Sequence, residues 1–224
     1  MLFRSSGYPV DLVLRICVSS INGLENEFGG SGNPRSGDPR FATLLSVMRE
    51  AQAAGALGFR LRVTKEGEGP VMFLRPGPEV SEFPARAREL LGLDPKVPEY
   101  RVVFGAFPTD NTEIAIVSRS MLQVLADFGS YIDVPAKDIA EGRVYVPTRS
   151  AEQQRMFPPL MRVHNSEEAP ADAYVALRYR DSWFWIDDRD WRSKAVLNAL
   201  MLMFSLTETG AQQSAAPVVT IPAR

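Results

Sequence analysis

Three closely spaced aspartates, Asp187, Asp188 and Asp190, are the residues best suited to chemistry in this sequence. They follow a predicted strand, and carboxylates at a strand end can hold Mg²⁺ and activate water for attack on a phosphoester. The same residues can instead cap the first N–H groups of a helix and favour the positive end of its dipole. We favour capping together with aspartate–arginine pairing, because a two-metal site needs acids from other strands and the sequence nominates none. A metal-dependent phosphoester hydrolase is the alternative function.

Two arginines and two tryptophans recur at alternating positions of a predicted hairpin. With a two-residue turn at Asp181-Ser182, alternation places on one face Arg178, Arg180, Trp183 and Trp185. The opposite face, which we expect to meet a core, carries Leu177, Tyr179, Phe184 and Ile186. A slip of one residue at this turn would exchange the two faces.

Guanidinium and indole groups on one face can stack a base and hold a phosphate. The hairpin is therefore a candidate nucleotide or single-strand binding module, through Arg178, Arg180, Trp183 and Trp185. A cation–π ladder that is satisfied within the hairpin explains the same pattern.

The other reactive residues are isolated in the sequence. The single histidine, His164, has no cysteine or carboxylate at metal-ligand spacing and is expected in an exposed loop. The single cysteine, Cys17, lies in an apolar run that is typical of an inert buried thiol. The glycine-rich segment 22–40 matches neither phosphate-binding glycine motif and contains no lysine, so we predict a loop there. The sequence thus predicts no catalytic residue and no cofactor.

A long apolar helix is predicted over residues 191–207, directly after the aspartates. Its middle, residues 195–206, is interrupted only by Asn198 and Ser205, so we expect it to be covered on most sides. Near-complete burial is predicted for Leu197, Leu200, Met201 and Phe204. At roughly 1.5 Å per residue the apolar middle spans about 18 Å, which is too short for a bilayer that needs about 20 residues. We therefore predict no membrane insertion.

The excess of apolar surface on this helix suggests a third kind of function, that of a structural or adaptor protein. A short proline-bounded strand is predicted at 217–222, and its apolar residues could pair with an exposed sheet edge. A buried amide within the helix can find its partner across a two-fold axis. We therefore predict self-association or binding of a protein partner, with an interface formed by Asn198, Met201, Ser205, Val218 and Ile221.

Composition bounds these hypotheses. The chain has 224 residues, 45% of them hydrophobic and 23% charged, which is ordinary for a globular protein. A formal net charge of -2 gives no general attraction to nucleic acid, so we do not expect nucleic acid as a partner. The amino-terminal residues show no signal-peptide pattern, and arginine outnumbers lysine. We expect a protein of the bacterial cytoplasm.

The alternating and helical segments together predict an α+β fold. We expect a mostly antiparallel sheet, built from hairpins and packed against two principal helices, at 118–132 with Ser118 as cap and at 191–207. A first strand is predicted at 11–18 and a further helix at 39–54. The chain is predicted to be a single domain of residues 1–224, with an irregular surface connection at 147–172 and a carboxy-terminal hairpin-helix-strand unit at 173–222.

Overall fold

A computed structural model describes residues 9–30, 34–64, 67–75, 82–144, 146 and 149–212, with the side chains of 64, 67, 68 and 208–212 excepted. The helices in this part of the chain are α1 (Val10–Cys17), α2 (Pro39–Ala53), α3 (Glu82–Leu91), α4 (Met121–Gly129), α5 (Ala136–Ala140), α6 (Ala151–Met156) and α7 (Trp191–Gln212). The strands are β1 (Val18–Ile21), β2 (Leu24–Glu25), β3 (Leu57–Thr64), β4 (Gly67–Leu74), β5 (Glu99–Phe104), β6 (Glu113–Ser118), β7 (His164–Ser166), β8 (Ala173–Tyr179) and β9 (Ser182–Asp187). None of these helices is both long and apolar enough to cross a membrane.

The chain divides into two compact units, where the sequence led us to expect one domain. The first unit comprises Met1–Ser130 and Pro147–Pro158, and the second comprises Tyr131–Val146 and Pro159–Arg224. Each unit has its own sheet. The predicted α+β class is confirmed, since both sheets are mostly or wholly antiparallel and helices accompany them.

The first unit is built on a six-stranded sheet in the order β2-β1-β6-β5-β4-β3. Neighbouring strands are antiparallel except for β5 and β6, which are parallel. Met72 of β4 and Tyr100 of β5 are paired across the two strands, and both lie on the face of the sheet that meets the core. Helices α1, α2 and α3 contribute to the same core, in which Phe41 and Leu44 of α2 are fully buried.

Local sequence signals explain where the helices of this unit begin. Asp38 precedes α2 and its Oδ1 accepts a hydrogen bond from the Arg40 N–H at 2.8 Å, while Pro39 occupies the first helical position. Helix α4 begins with a capping box in which Ser120 and Gln123 bond each other's backbone N–H groups. The cap is therefore Ser120 and not Ser118, which ends β6.

Residues 10–17 form helix α1, so the strand predicted at 11–18 is wrong. The apolar run is compatible with the period of a strand and with that of a helix, and the hydrogen bonds that the segment makes with its surroundings decide between the two. Pro9 accepts the first helical hydrogen bond from the Val13 N–H, and the Gln52 side chain of α2 accepts one from the Val10 N–H at 2.8 Å. Val10 and Leu14 then fall on the buried face, one helical turn apart.

The second unit contains a three-stranded antiparallel sheet in the order β7-β9-β8. Strands β8 and β9 form the predicted hairpin in a shifted register, with Tyr179 opposite Ser182 and the turn at Arg180-Asp181. Arg180 has a φ of 54°, which lets the chain reverse one residue earlier than expected. The turn moves by one residue and the pairing by two, so alternation still divides the side chains between the same two faces. The expectation that one face meets a core is wrong for β8, because Leu177 and Tyr179 are 66% and 58% exposed.

The connection at 147–172, which the sequence predicted to be irregular, contains regular structure. Helix α6 begins with a capping box formed by Ser150 and Gln153. Strand β7 pairs with β9, so that His164 lies opposite Trp185. The missed helix and strand are each short, with six and three residues, and therefore leave little periodicity to detect.

Helix α7 packs through one face only, so the prediction of an enclosed central helix is wrong. Ser193, Val196, Ala199 and Leu200 are buried at helical spacing. Met201, for which burial was predicted, is 61% exposed, and Leu197 and Phe204 are only partly buried. The strand predicted at 217–222 lies outside the described residues.

Candidate functional site

The three aspartates lie where β9 leads into α7, and Asp190 caps the helix. Its Oδ1 accepts a hydrogen bond from the Ser193 N–H at 3.0 Å, and its Oδ2 accepts one from the Ser193 hydroxyl at 2.6 Å. These hydrogen bonds, the side-chain one foremost, hold the pKa of the Asp190 carboxyl below its ordinary value. The helix-start role predicted for this residue follows directly from the geometry.

Asp187 and Asp188 have separate partners. Asp187 Oδ1 accepts from the Arg189 N–H at 2.8 Å, and the Lys194 ammonium lies 2.8 Å from Asp188 Oδ1. Nowhere in the described residues do three or more histidine, cysteine, aspartate or glutamate side chains come together as metal ligands would. The structure therefore does not bring these three carboxylates together around one point.

The hairpin places three of the four predicted arginine and tryptophan residues together. Arg178 is opposite Trp183, and Trp185 follows on the same face. Arg180 lies in the turn, where its guanidinium is 5.3 Å from the Tyr179 ring centroid and 3.9 Å from Asp138 Oδ1. The four residues therefore do not form one ladder, and ligand binding by this face stays a prediction.

His164 and Cys17 occupy structural positions. The His164 ring lies 4.8 Å from the Trp185 ring, and its Nδ1 is 3.4 Å from Asp133 Oδ2, so the residue belongs to a sheet and not to an exposed loop. Cys17 is half-buried, and burial raises the pKa of its thiol above the ordinary value. A thiol that stays protonated is a poor nucleophile, in agreement with the inert role that we predicted.

A groove of about 200 Å³ lies in the second unit, between α5 and the tip of the β8–β9 hairpin. Its rim mixes three cations with three carboxylates, namely Lys137, Arg143, Arg180, Asp138, Glu141 and Asp181. Lys137 pairs with Asp181 and Arg180 with Asp138, which makes the groove a set of ion pairs between the two elements. It is also smaller than the roughly 300 Å³ from which ligand pockets start.

Helix α7 presents a second face to solvent, and the predicted interface residues of this helix lie on it. Asn198, Met201 and Ser205 are all exposed, and Asn198 Oδ1 accepts a hydrogen bond from the Tyr174 hydroxyl at 3.4 Å. Leu202 and Leu206 extend the same face and are 40% and 37% exposed. Val218 and Ile221, the other two predicted interface residues, lie outside the described residues.

The first unit contains a buried ionic network that the sequence did not reveal. Arg119 Nη1 lies 2.9 Å from Asp127 Oδ2, and the side chains of both residues are almost fully buried. The two oxygens of Glu27 face Arg149 Nη1 at 3.0 Å and Arg15 Nη2 at 3.3 Å. Arg119 connects the two groups, because it also donates to the carbonyls of Arg15 and Glu27.

The network fixes the start of the glycine-rich segment. The Gly29 N–H donates to Asp127 Oδ1 at 2.6 Å. A Cβ at Gly29 would collide with the Arg149 guanidinium and the Ser130 hydroxyl, so close packing explains this glycine. Burial raises the pKa of the Glu27 carboxyl, with Arg149 and Arg15 opposing this shift. The network holds the loop to α1 and α4, and no spacing in the sequence joins residues so far apart.

Comparisons with known proteins identify no relative of this chain. No protein-family model matches the sequence, and no match was found among curated proteins or among solved structures. Its function therefore has to be inferred from its own residues.

Proposed function

We propose that this chain is a non-enzymatic structural or adaptor protein that associates with a second copy of itself through the outward face of α7. The observation that carries the proposal is the exposure of Met201 at 61%, on a helix whose opposite face is buried. Leu202 and Leu206 continue this face along the helix. Apolar area that leaves water on association contributes about 25 cal/mol per Å², which favours covering such a stripe.

The polar residues within the stripe favour a second copy as the partner. Asn198 and Ser205 are seven residues apart, a spacing that returns to the same side of a helix after two turns. In a two-fold dimer each residue meets its counterpart or a fixed neighbour, so an amide in an otherwise apolar contact can set the register. From Asn198 to Leu206, at roughly 1.5 Å per residue, this face of α7 offers about 12 Å for such a contact.

We also propose that the protein acts in the bacterial cytoplasm. A single cysteine that forms no disulfide and a predominance of arginine over lysine suit a protein of the bacterial cytoplasm.

Light scattering across a dilution series tests the association. We expect a dimeric mass at tens of micromolar that falls toward the monomer on dilution, and a monomer at all concentrations for Met201→Glu. Leu122→Glu is the matched control, because Leu122 is also an exposed apolar residue on a helix, at 76%. A strictly monomeric wild type, or equal masses for the two variants, would contradict self-association through α7.

A further inference from the structure

Strand β3 is the last strand of the six-stranded sheet, and within the described residues it pairs only with β4. It is eight residues long, above the usual length of a strand. An edge strand of this length presents a row of backbone N–H and C=O groups that can pair with another strand.

The two faces of β3 differ sharply in chemistry. One face continues the core side of the sheet past the covering helices, and its exposed fraction rises along the strand from 38% at Phe59 to 48% at Leu61 and 78% at Val63. Phe59, at the beginning of this apolar row, is therefore partly covered by other residues, whereas Val63, at its end, is mostly in contact with solvent. An added strand that carried apolar side chains on this face would cover it.

The opposite face is cationic. Arg60 and Arg62 both face the Glu99 carboxylate, at 3.6 Å in the case of Arg62. Arg75 lies on the same face and its guanidinium is 4.8 Å from the Phe73 ring centroid. Among the described side chains of β3 and its neighbours on this face, Arg60, Arg62 and Arg75 outnumber Glu99, which gives an excess of positive charge there, and the side chains of Arg60 and Arg62 are more than half exposed.

We propose that β3 binds an extended acidic segment of another protein as an additional strand of the sheet. Its backbone would complete the ladder, its apolar residues would lie beside Phe59, Leu61 and Val63, and its carboxylates would alternate with them and face Arg60 and Arg62. Opposite charges across neighbouring strands stabilise a pair, whereas like charges destabilise it. The alternation of apolar and cationic residues on β3 therefore specifies a complementary alternation in the partner.

The same rule disfavours a second copy of β3 as the occupant. If two β3 strands paired with their faces matched, Arg60 and Arg62 of one copy would lie beside the same two residues of the other. The chain's own segment 217–222 contains no carboxylate and cannot supply the complementary charge. An acidic partner is the occupant that the charges select.

Fluorescence anisotropy with a labelled decapeptide of alternating valine and glutamate tests the proposal at low ionic strength, where exposed charges are least screened. We expect saturable binding of this peptide, with at least tenfold weaker binding of a valine–lysine peptide. A valine–glutamate peptide that is N-methylated at alternate residues on its pairing edge should lose binding, since it keeps every charge but lacks the backbone donors. Failure of the glutamate peptide to saturate, or equal binding of the methylated peptide, would overturn the proposal.

Variants locate the site on β3. Arg60→Glu combined with Arg62→Glu should reverse the preference between the two peptides. Arg60→Gln with Arg62→Gln should abolish the preference, and this variant replaces the first if charge reversal beside Glu99 disturbs folding. Arg155→Glu with Arg192→Glu changes the net charge equally, at exposed positions outside β3, and should leave binding unchanged. Met201→Glu should also bind as the wild type does, because it alters only α7. Equal peptide binding by the Arg60/Arg62 and Arg155/Arg192 variants would show that β3 is not the site.

Discussion

Asp127→Asn is expected to remove a large part of the stability of the first unit. Asp127 is 2% exposed and pairs with Arg119, which is itself buried. Asparagine keeps the acceptor for the Gly29 N–H but leaves the Arg119 charge without its carboxylate. Removing one partner of a buried pair costs about 3–5 kcal/mol. With a urea dependence of roughly 2 kcal/mol per molar, the unfolding midpoint should fall by about 2 M.

Far-UV circular dichroism is the appropriate readout, because Trp183, Trp185 and Trp191 all belong to the second unit and their emission does not report directly on the network. Asp188→Asn is the matched control, since it makes the same chemical change in an exposed pair with Lys194 and should cost less than about 1 kcal/mol. Adding Arg119→Met to Asp127→Asn should recover part of the loss, because the unpaired buried charge is then gone. Equal losses in Asp127→Asn and Asp188→Asn would refute this account of the network.

Two further predictions concern titratable groups. Asp190→Ala should lower the free energy of unfolding by about 1 kcal/mol near neutral pH, equally with and without Mg²⁺. Because the folded pKa of Asp190 lies below its ordinary value, this difference should fade as acid protonates the carboxyl of the wild type. A rise in the wild-type thermal midpoint with Mg²⁺ that the variant lacks would favour the metal-site hypothesis instead. For Glu27 the folded pKa is raised above the ordinary 4.5, so ionisation costs the folded state as pH increases through and above that value. Urea unfolding at a series of pH values should therefore show Glu27→Gln gaining stability relative to the wild type as pH rises, and a relative loss would show that pairing with Arg149 and Arg15 outweighs burial.

Features that depend on neighbouring residues could be read from the sequence. The start of α2 at Asp38-Pro39 and the division of the β8–β9 side chains between two faces follow from local rules, and the structure agrees with both. Which of these side chains are buried does not follow from local rules, since Leu177 and Tyr179 are exposed. The register of the hairpin could not be predicted from the sequence, because Arg180 adopts a positive φ, which is uncommon for arginine and which no local pattern indicates. Helix α1 could not be predicted either, because an apolar run of eight residues is compatible with a buried strand as well as with a helix.

The buried ionic network could not be predicted from the sequence for a different reason. Its residues come from distant parts of the sequence, as with Arg15 and Arg119, which are 104 positions apart. Each of them, taken alone, has an ordinary explanation as a surface charge, and only the fold brings them together. Burial also reverses the usual expectation for Glu27, whose pKa is raised although two arginines face it. Tertiary contact, and not local pattern, decides the chemistry of such residues.

The two proposed surfaces reinforce one another because they lie on different units, β3 on the first and α7 on the second. A dimer formed through α7 would carry two β3 edges. A partner with two acidic segments could then bind both, and the second binding event would be intramolecular, which can strengthen binding by about 10²–10⁴ when the linker spans the sites. Single peptides would gain nothing from the dimer, which is why Met201→Glu should leave their affinity unchanged. An adaptor of this kind would discriminate partners by the number of acidic strands they carry as well as by the sequence of each strand.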